Sequence, residues 1–121
     1  MKVVILCGGQ GTRIRDIAEH IPKPMIPIGR YPIIWHIMSS YAAAGHDEFV
    51  LCLGHLGHTI KEFFLNYQTL SSDFTVNIGK PNEIEFHDKR IDINWRVTLA
   101  DTGDDAMTGA RIKRIQRYVK D

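Results

Sequence analysis

The sequence lacks long hydrophobic runs and contains little cysteine. No stretch reaches the roughly 18 consecutive apolar residues of a membrane-spanning helix, and the first apolar run, Val3 to Cys7, is shorter than the core of a signal peptide. The two cysteines, Cys7 and Cys52, lie inside apolar segments, where free thiols behave as small hydrophobic side chains. These features argue against a disulfide scaffold, and we expect a soluble, cytoplasmic protein without a membrane partner.

A charge excess of one sign is also missing. The chain carries 15 Lys and Arg against 14 Asp and Glu, which gives a formal net charge of +1. Proteins that bind nucleic acid present clustered basic residues, so we expect no nucleic-acid partner, and any anionic ligand should be small and locally bound. A length of 121 residues suits one hydrophobic core. We therefore predict a single domain, or part of one.

The first half of the chain predicts a βαβ unit. Val3 to Cys7 and Phe49 to Leu53 are continuous apolar runs, typical of parallel strands buried on both faces. Between them, a helical repeat of apolar residues starts after Pro32 and stops near Gly45. The predicted apolar stripe of this helix is Ile34, Ile37, Met38 and Tyr41. We expect the two strands to be adjacent and parallel, in an α/β fold.

The second half predicts two more helices around half-exposed strands. Ile60 to Tyr67 has helical spacing, whereas alternating apolar and polar residues predict strands, or a hairpin inserted in the α/β pattern, at Phe74 to Ile78, Glu83 to His87 and Trp95 to Leu99. The helix predicted at Met107 to Val119 should bury Ile112, Ile115 and Val119 and expose its basic residues to solvent. These basic residues are Arg111, Lys113, Arg114, Arg117 and Lys120.

The α/β pattern stops directly after a helix, with no further strand for that helix to cover. We therefore expect the chain to be the truncated front part of a larger domain. An unpaired sheet edge would favour aggregation or self-association, so we also expect a homo-oligomer.

Three glycines, Gly8, Gly9 and Gly11, follow the first strand directly. Such loops let backbone N–H groups approach phosphate oxygens. A P-loop is excluded because this one ends in Gly11-Thr12-Arg13 instead of Gly-Lys-Ser/Thr. A dinucleotide-binding loop is disfavoured because Ile14 replaces the third glycine and the second strand is not followed by an acidic residue.

Two cations follow the glycines, Arg13 at once and Lys23 ten residues later. Arg13 offers a planar fork for phosphate oxygens, whereas Lys23 is a compact point charge. Pro22 and Pro24 should hold Lys23 in a stiff, extended segment, because a residue before proline avoids the helical region. Together the two cations suit a triphosphate.

The motif "GGQGTR", followed after ten residues by the lysine of "PKPM", resembles the signature of the sugar-1-phosphate nucleotidylyltransferases. The stretches "PIIWHIMSSYAAAG" and "WRVTLADTGDDAMTGARIKRI" resemble its glucose-1-phosphate cytidylyltransferase branch. The resemblance implies a Rossmann-like, mixed but mainly parallel sheet flanked by helices, with residues 1–121 as the N-terminal, nucleotide-binding part of the domain. It also implies a reaction in which CTP and α-D-glucose 1-phosphate give CDP-glucose and pyrophosphate.

The resemblance further assigns site residues. Arg13 and Lys23 would be catalytic, gripping the leaving pyrophosphate and the reacting phosphate. The remaining nucleotide- and substrate-binding residues would be Leu6, Cys7, Gly8, Gly9, Gln10, Gly11, Thr12, Asp104, Thr108, Gly109 and Arg111. Mg²⁺ is the implied cofactor, with an aspartate ligand expected beyond Asp121. The six histidines have no metal-site spacing, so no metal ligand is assigned within this chain.

Two other hypotheses remain open from the residues alone. One is a binding or regulatory module that holds CTP or a sugar nucleotide without turnover. The other is a structural α/β interaction domain, which nucleotides would not stabilise.

Overall fold

The computed structural model describes residues 1–8, 21–80, 83–87, 93–103 and 108–119, without the side chain of Thr108. The strands and helices in chain order are β1 (Lys2–Leu6), a 3-10 turn (Lys23–Met25), β2 (Pro27–Ile28), β3 (Tyr31–Pro32), α1 (Ile33–Ala43), β4 (Glu48–Leu53), α2 (Gly57–Leu65), α3 (Tyr67–Ser71), β5 (Phe74–Val76), β6 (Ile84–Phe86), β7 (Arg96–Asp101), α4 (Thr108–Arg114) and α5 (Gln116–Val119).

The main sheet of the described chain has three parallel strands in the order β1-β4-β7. Val3 pairs with Phe49, and Phe49 pairs with Val97 on the other side. The predicted adjacent, parallel arrangement of the first two strands is therefore confirmed. Residues Phe49–Leu53 of the central strand are each at most 1% exposed, which fits their continuous apolar sequence because both faces of a central parallel strand are covered.

Helices cover the sheet on two sides. On one face, Ile34 and Met38 of α1 and Ile60 of α2 pack with alternate residues of β4, which include Phe49 and Leu51. On the other face, Val50 and Cys52 of β4 pack with Ile115. The predicted α/β fold with a mainly parallel sheet flanked by helices is confirmed.

Burial of β1 on both faces was a wrong prediction. Val3 and Ile5 pack against the core, whereas Val4 and Leu6 on the opposite face are 38% and 44% exposed. The buried cluster that includes Ile115 involves β4 and β7 but no residue of β1, so this face of β1 is open in the described part of the chain.

The segment Trp95 to Leu99 forms most of β7, the third parallel strand of the main sheet. Of the two predicted arrangements for this segment, the half-exposed strand is confirmed and the inserted hairpin is not. Half-exposed alternation suits an edge strand as well as a hairpin strand, so this pattern does not distinguish them. The other two segments do form an antiparallel pair, with Phe74 opposite Phe86.

Helix α1 starts after Pro32 and ends at Ala43, and Gly45 then takes a φ of +98°. A left-handed glycine at this place ends a helix without a steric penalty. Ile34 and Met38 are buried as predicted, but Ile37 and Tyr41 are 39% and 44% exposed. Trp35 is buried instead, within 4.5 to 5.8 Å of the aromatic rings of Tyr31, Phe63, Tyr67 and Trp95.

The predicted C-terminal helix is broken at Ile115, which lies between α4 and α5. Ile115 is 1% exposed, whereas Ile112 is 47% exposed, so the predicted burial of Ile112 was wrong. Arg111, predicted to face solvent, is only 6% exposed. The bonds Ile115 N to Ile112 O and Tyr118 N to Ile115 O span three residues instead of four, and they mark the break between α4 and α5.

Candidate functional site

The carboxyl ends of the three parallel strands meet at one edge of the sheet. Cys7 N donates to Cys52 O at 2.9 Å, and Thr102 N donates to Leu53 O at 2.9 Å, so the ladder continues just beyond β1 and β7. Gly8, Gly54 and Thr102 lie at the ends of these three strands. Open α/β sheets bind their ligands at this edge.

Arg111 of α4 reaches this edge with its guanidinium group. Nη1 donates to Thr102 Oγ1 at 3.2 Å, and Nη2 donates to the Gly8 carbonyl at 3.0 Å. The side chain therefore ties the end of β7 to the end of β1, across β4. An arginine that is 6% exposed is rare unless its N–H groups have partners.

Gly8 and Gly54 make room for this guanidinium. A Cβ at Gly8 would lie 1.7 Å from Nη1 and 2.6 Å from Cζ of Arg111. At Gly54 a Cβ would lie 2.9 Å from Nη1 and 2.9 Å from the Gly8 Cα. The first glycine of the loop was predicted to admit phosphate oxygens, but in the described structure its missing Cβ admits Arg111.

Thr102 is a site residue that the sequence reasoning missed. Its side chain is fully buried, and its Oγ1 donates to Leu53 O at 2.9 Å while accepting from Arg111. Its carbonyl also accepts from Arg114 Nη1. One sequence signal pointed to this cluster: Arg111 lies four residues before the apolar Ile115, and residues four apart share a helix face.

Two buried thiols lie beside the guanidinium, and burial disfavours their ionised form. Burial raises the pKa of Cys7 to about 12, and the nearby Cys52 adds a smaller increase. The positive charge of Arg111 lowers this pKa in part. Burial likewise raises the pKa of Cys52, again opposed by Arg111. Thiolate, not thiol, is the nucleophilic form. Both cysteines are free and buried, as predicted.

Lys23 lies in a 3-10 turn, so the predicted extended conformation of this residue was wrong. Met25 N donates to Pro22 O at 2.9 Å and Ile26 N to Lys23 O at 3.1 Å. Pro24 occupies the second position of the later of these two turns, which proline favours. Met25 packs against the hydrophobic core and therefore attaches the turn to it, while the Lys23 side chain is exposed to solvent.

The other predicted site residues are distributed as follows. Leu6, Cys7 and Gly8 form the end of β1, and Gly109 is exposed in α4, with no described atom within 4 Å of a Cβ built on it. Thr108 begins α4. The residues that lie outside the described part of the chain are Gly9, Gln10, Gly11, Thr12, Arg13 and Asp104. Of the predicted set, the structure brings together Cys7, Gly8 and Arg111.

The described residues include no group of three His, Cys, Asp or Glu side chains that could hold a metal ion. Asp101, at the carboxyl end of β7, is paired with Lys61 at 2.7 Å. No described helix has the length and apolar character needed to cross a membrane. Mg²⁺ is commonly bound by only one or two carboxylates together with substrate phosphates, so the expected Mg²⁺ cofactor stays a prediction.

Comparison with known proteins decides the family. A profile described as Nucleotidyl transferase matches residues 2–89, which include β1, β4 and the glycine segment between them. The chain belongs to the nucleotidyl transferase family. The resemblance inferred from the glycine loop and Lys23 is thus confirmed.

Curated members of this nucleotidyl transferase family match over the whole chain. The chain is 50% identical over its 121 residues to glucose-1-phosphate cytidylyltransferase from Salmonella typhimurium. It is 40% identical, also over 121 residues, to a Bacillus subtilis protein named probable glucose-1-phosphate cytidylyltransferase. In both cases it covers 46% of the relative, so the chain spans about half the length of these proteins.

A more distant relative is named for a different nucleotide, UTP. UTP–glucose-1-phosphate uridylyltransferase from Synechocystis is 38% identical over 68 residues, which are 56% of this chain and 18% of the relative. The match to the two cytidylyltransferases therefore extends over more of the chain.

Proposed function

We propose that the protein transfers a cytidylyl group from CTP to α-D-glucose 1-phosphate, forming CDP-glucose and pyrophosphate, and that residues 1–121 contribute the nucleotide-binding edge. The observation that carries this proposal is the glycine-bearing end of β1, fixed by a buried arginine at the ligand-binding edge of a parallel sheet. Identity of 50% over the whole chain to a cytidylyltransferase supports the choice of CTP and glucose 1-phosphate.

The proposed transfer is accelerated by positive groups held at fixed positions around the phosphates. A phosphate oxygen of glucose 1-phosphate attacks the α-phosphorus of CTP, the new P–O bond forms, and the α–β bridging bond breaks. Pyrophosphate leaves with the electron pair of that bond. The sugar phosphate is already an ionised nucleophile, so positioning and charge stabilisation matter more than a protein base.

Lys23 is proposed as one of these fixed charges. Within the described residues its ammonium group has no hydrogen bond or ion pair, and its backbone belongs to a turn anchored by Met25. A preorganised cation of this kind lowers the free energy of charge developing on the reacting phosphate. Arg13 is proposed as the second cation, on the leaving pyrophosphate.

The other contacts of the nucleotide are proposed from the family resemblance. Residues 6–12 would follow the base and phosphates, and Asp104, Thr108 and Gly109 would border the base and sugar. Arg111 would support this pocket by holding the Gly8 carbonyl. Mg²⁺ is proposed as the ion that accompanies the triphosphate of CTP.

The experiment that tests the proposal compares Lys23→Ala with Lys80→Ala. Lys80 is an exposed lysine in the turn between β5 and β6, so its substitution removes the same charge elsewhere. We expect Lys23→Ala to weaken CTP binding about 10- to 100-fold, since a hydrogen bond to a charged group is worth roughly 1.5–3 kcal/mol. Its melting temperature without ligand should stay near wild type, because the side chain is outside the core. Lys80→Ala should change neither.

A second variant, Lys23→Arg, and a second measurement, kcat, make this test more specific. Lys23→Arg should not restore affinity, because a planar fork does not replace a point charge. In a catalytically active form, Lys23→Ala should lower kcat by roughly 10²–10³, the typical cost of losing a preorganised donor. If CTP affinity is unchanged while the ligand-free fold is destabilised, Lys23 is a structural brace and its proposed role is wrong.

A further inference from the structure

Thr102 is the most deeply buried polar side chain at the strand ends. It is 0% exposed and follows the last residue of β7. A valine would fill a similar volume without a polar atom to satisfy. Packing alone therefore does not explain a threonine at this position, and the hydrogen bonds of its hydroxyl group indicate a function.

The hydroxyl fixes the direction of the arginine. A threonine hydroxyl has one proton, and here Oγ1 donates it to Leu53 O at 2.9 Å. Its lone pairs are then left to accept, and Arg111 Nη1 donates to them at 3.2 Å. Because the guanidinium is planar and rigid, holding Nη1 also helps to set Nη2, which donates to Gly8 O at 3.0 Å.

The two glycines restrict the same group sterically. The Cβ positions of Gly8 and Gly54 both come within 3 Å of Nη1, so the guanidinium fills a slot between the ends of β1 and β4. Gly8 is also the last described residue before the remainder of the glycine loop, residues 9–13. The carbonyl group held by Arg111 is therefore directly next to that segment in the chain.

We propose that Thr102 is a positioning residue, which orients Arg111 so that the guanidinium holds the Gly8 carbonyl and sets the start of the glycine loop for the nucleotide. The link to nucleotide binding rests on the function proposed above. Thr102 acts through Arg111 and does not itself contact the nucleotide. Loss of its hydroxyl would leave Nη1 without this acceptor and relax the bond from Nη2 to Gly8.

The test uses Thr102→Val and Thr102→Ser, with Thr98→Val as the matched control. Thr98 lies on β7, which ends directly before Thr102; it is half-buried and makes no side-chain hydrogen bond among the described residues. Two quantities are measured in the 121-residue chain: hydrogen exchange of peptides covering residues 7–13 without ligand, and the Kd for CTP. The first reports on the loop whether or not a nucleotide binds.

We expect Thr102→Val to speed exchange of the loop peptides and to weaken CTP binding about tenfold, the lower end for a hydrogen bond to a charged group. Thr102→Ser keeps the oxygen and should restore both quantities to within about twofold, whereas Thr98→Val should alter neither. If Thr102→Val does not fold, Thr102→Ala replaces it with the same expectations, since it adds no atom to the slot.

The inference is overturned if Thr102→Val shows the same loop exchange and the same CTP affinity as the wild type. It is also overturned if Thr102→Ser behaves like Thr102→Val. If the folded wild-type chain binds no CTP, the proposed function fails, and the exchange data alone then decide. Faster exchange in the valine variant and rescue by serine would still support the positioning of the loop, while equal exchange would refute it.

Discussion

The substitution Gly8→Ala tests whether the first glycine of the loop is there to admit Arg111. The φ of Gly8 is not in the left-handed region, so alanine carries no backbone penalty at this position. Its Cβ would nevertheless lie 1.7, 2.6 and 2.9 Å from Nη1, Cζ and Nη2 of Arg111. The cost is therefore steric, and the guanidinium has to move.

The size of the effect follows from the hydrogen bonds that such a movement breaks. Arg111 donates to Gly8 O and to Thr102 Oγ1, and a hydrogen bond to a charged group contributes roughly 1.5–3 kcal/mol. Breaking both bonds should lower the free energy of unfolding by about 3–6 kcal/mol. Arg111→Ala removes the same two bonds and should cost at least as much.

The double variant gives the decisive comparison. In an Arg111→Ala background the three nearest atoms to the new Cβ are absent, so Gly8→Ala should then cost less than about 1 kcal/mol, well below the sum of independent effects. Urea unfolding followed by the fluorescence of Trp35 and Trp95 measures all four free energies. If the two single costs add within about 0.5 kcal/mol, the steric explanation of Gly8 is refuted.

Three further predictions concern the core, a thiol and an exposed ion pair. Ile115→Ala should lower the free energy of unfolding by about 2–5 kcal/mol and Ile112→Ala by much less, because the two are 1% and 47% exposed; similar losses in urea titrations would contradict the helix break at Ile115. Burial raises the pKa of Cys7 from 9.0 to about 12, so the unfolded chain ionises first and the free energy of unfolding should fall as pH rises above 9; a Cys7→Ala variant with an unchanged slope would contradict this. Lys61→Met removes an ion pair with Asp101 whose side chains are 39% and 72% exposed, and a change in stability above about 1 kcal/mol would be unexpected.

Strand β4 was predictable because its environment is symmetrical. A central parallel strand is covered on both faces, so Phe49–Leu53 is apolar throughout and its sequence indicates its place. Edge strands are less informative. Val3–Leu6 is equally apolar but has one open face, and the alternation at Trp95–Leu99 fits several sheets. Pairing partners depend on contacts distant in the chain, which local patterns do not contain.

The site was predictable in its location but not in its internal contacts. A glycine after an apolar strand indicated the carboxyl edge, and the structure places Gly8 there. The partner of that glycine is Arg111, more than 100 residues away. Arg111 lies four residues before the buried Ile115, a spacing that places both on one helix face. The prediction over Met107 to Val119 chose the buried face from apolar residues alone and therefore assigned the charged Arg111 to solvent.

Binding of CTP to this chain is tested by a thermal-shift comparison of CTP, UTP, dTTP and ATP, each with and without Mg²⁺. A ligand that binds only the folded state stabilises it by RT ln(1 + [L]/Kd). We predict that CTP with Mg²⁺ raises the melting temperature more than the other nucleotides do, and that Lys23→Ala reduces this shift without changing the melting temperature of the ligand-free chain. A folded chain whose melting temperature responds to none of the four nucleotides would contradict this prediction.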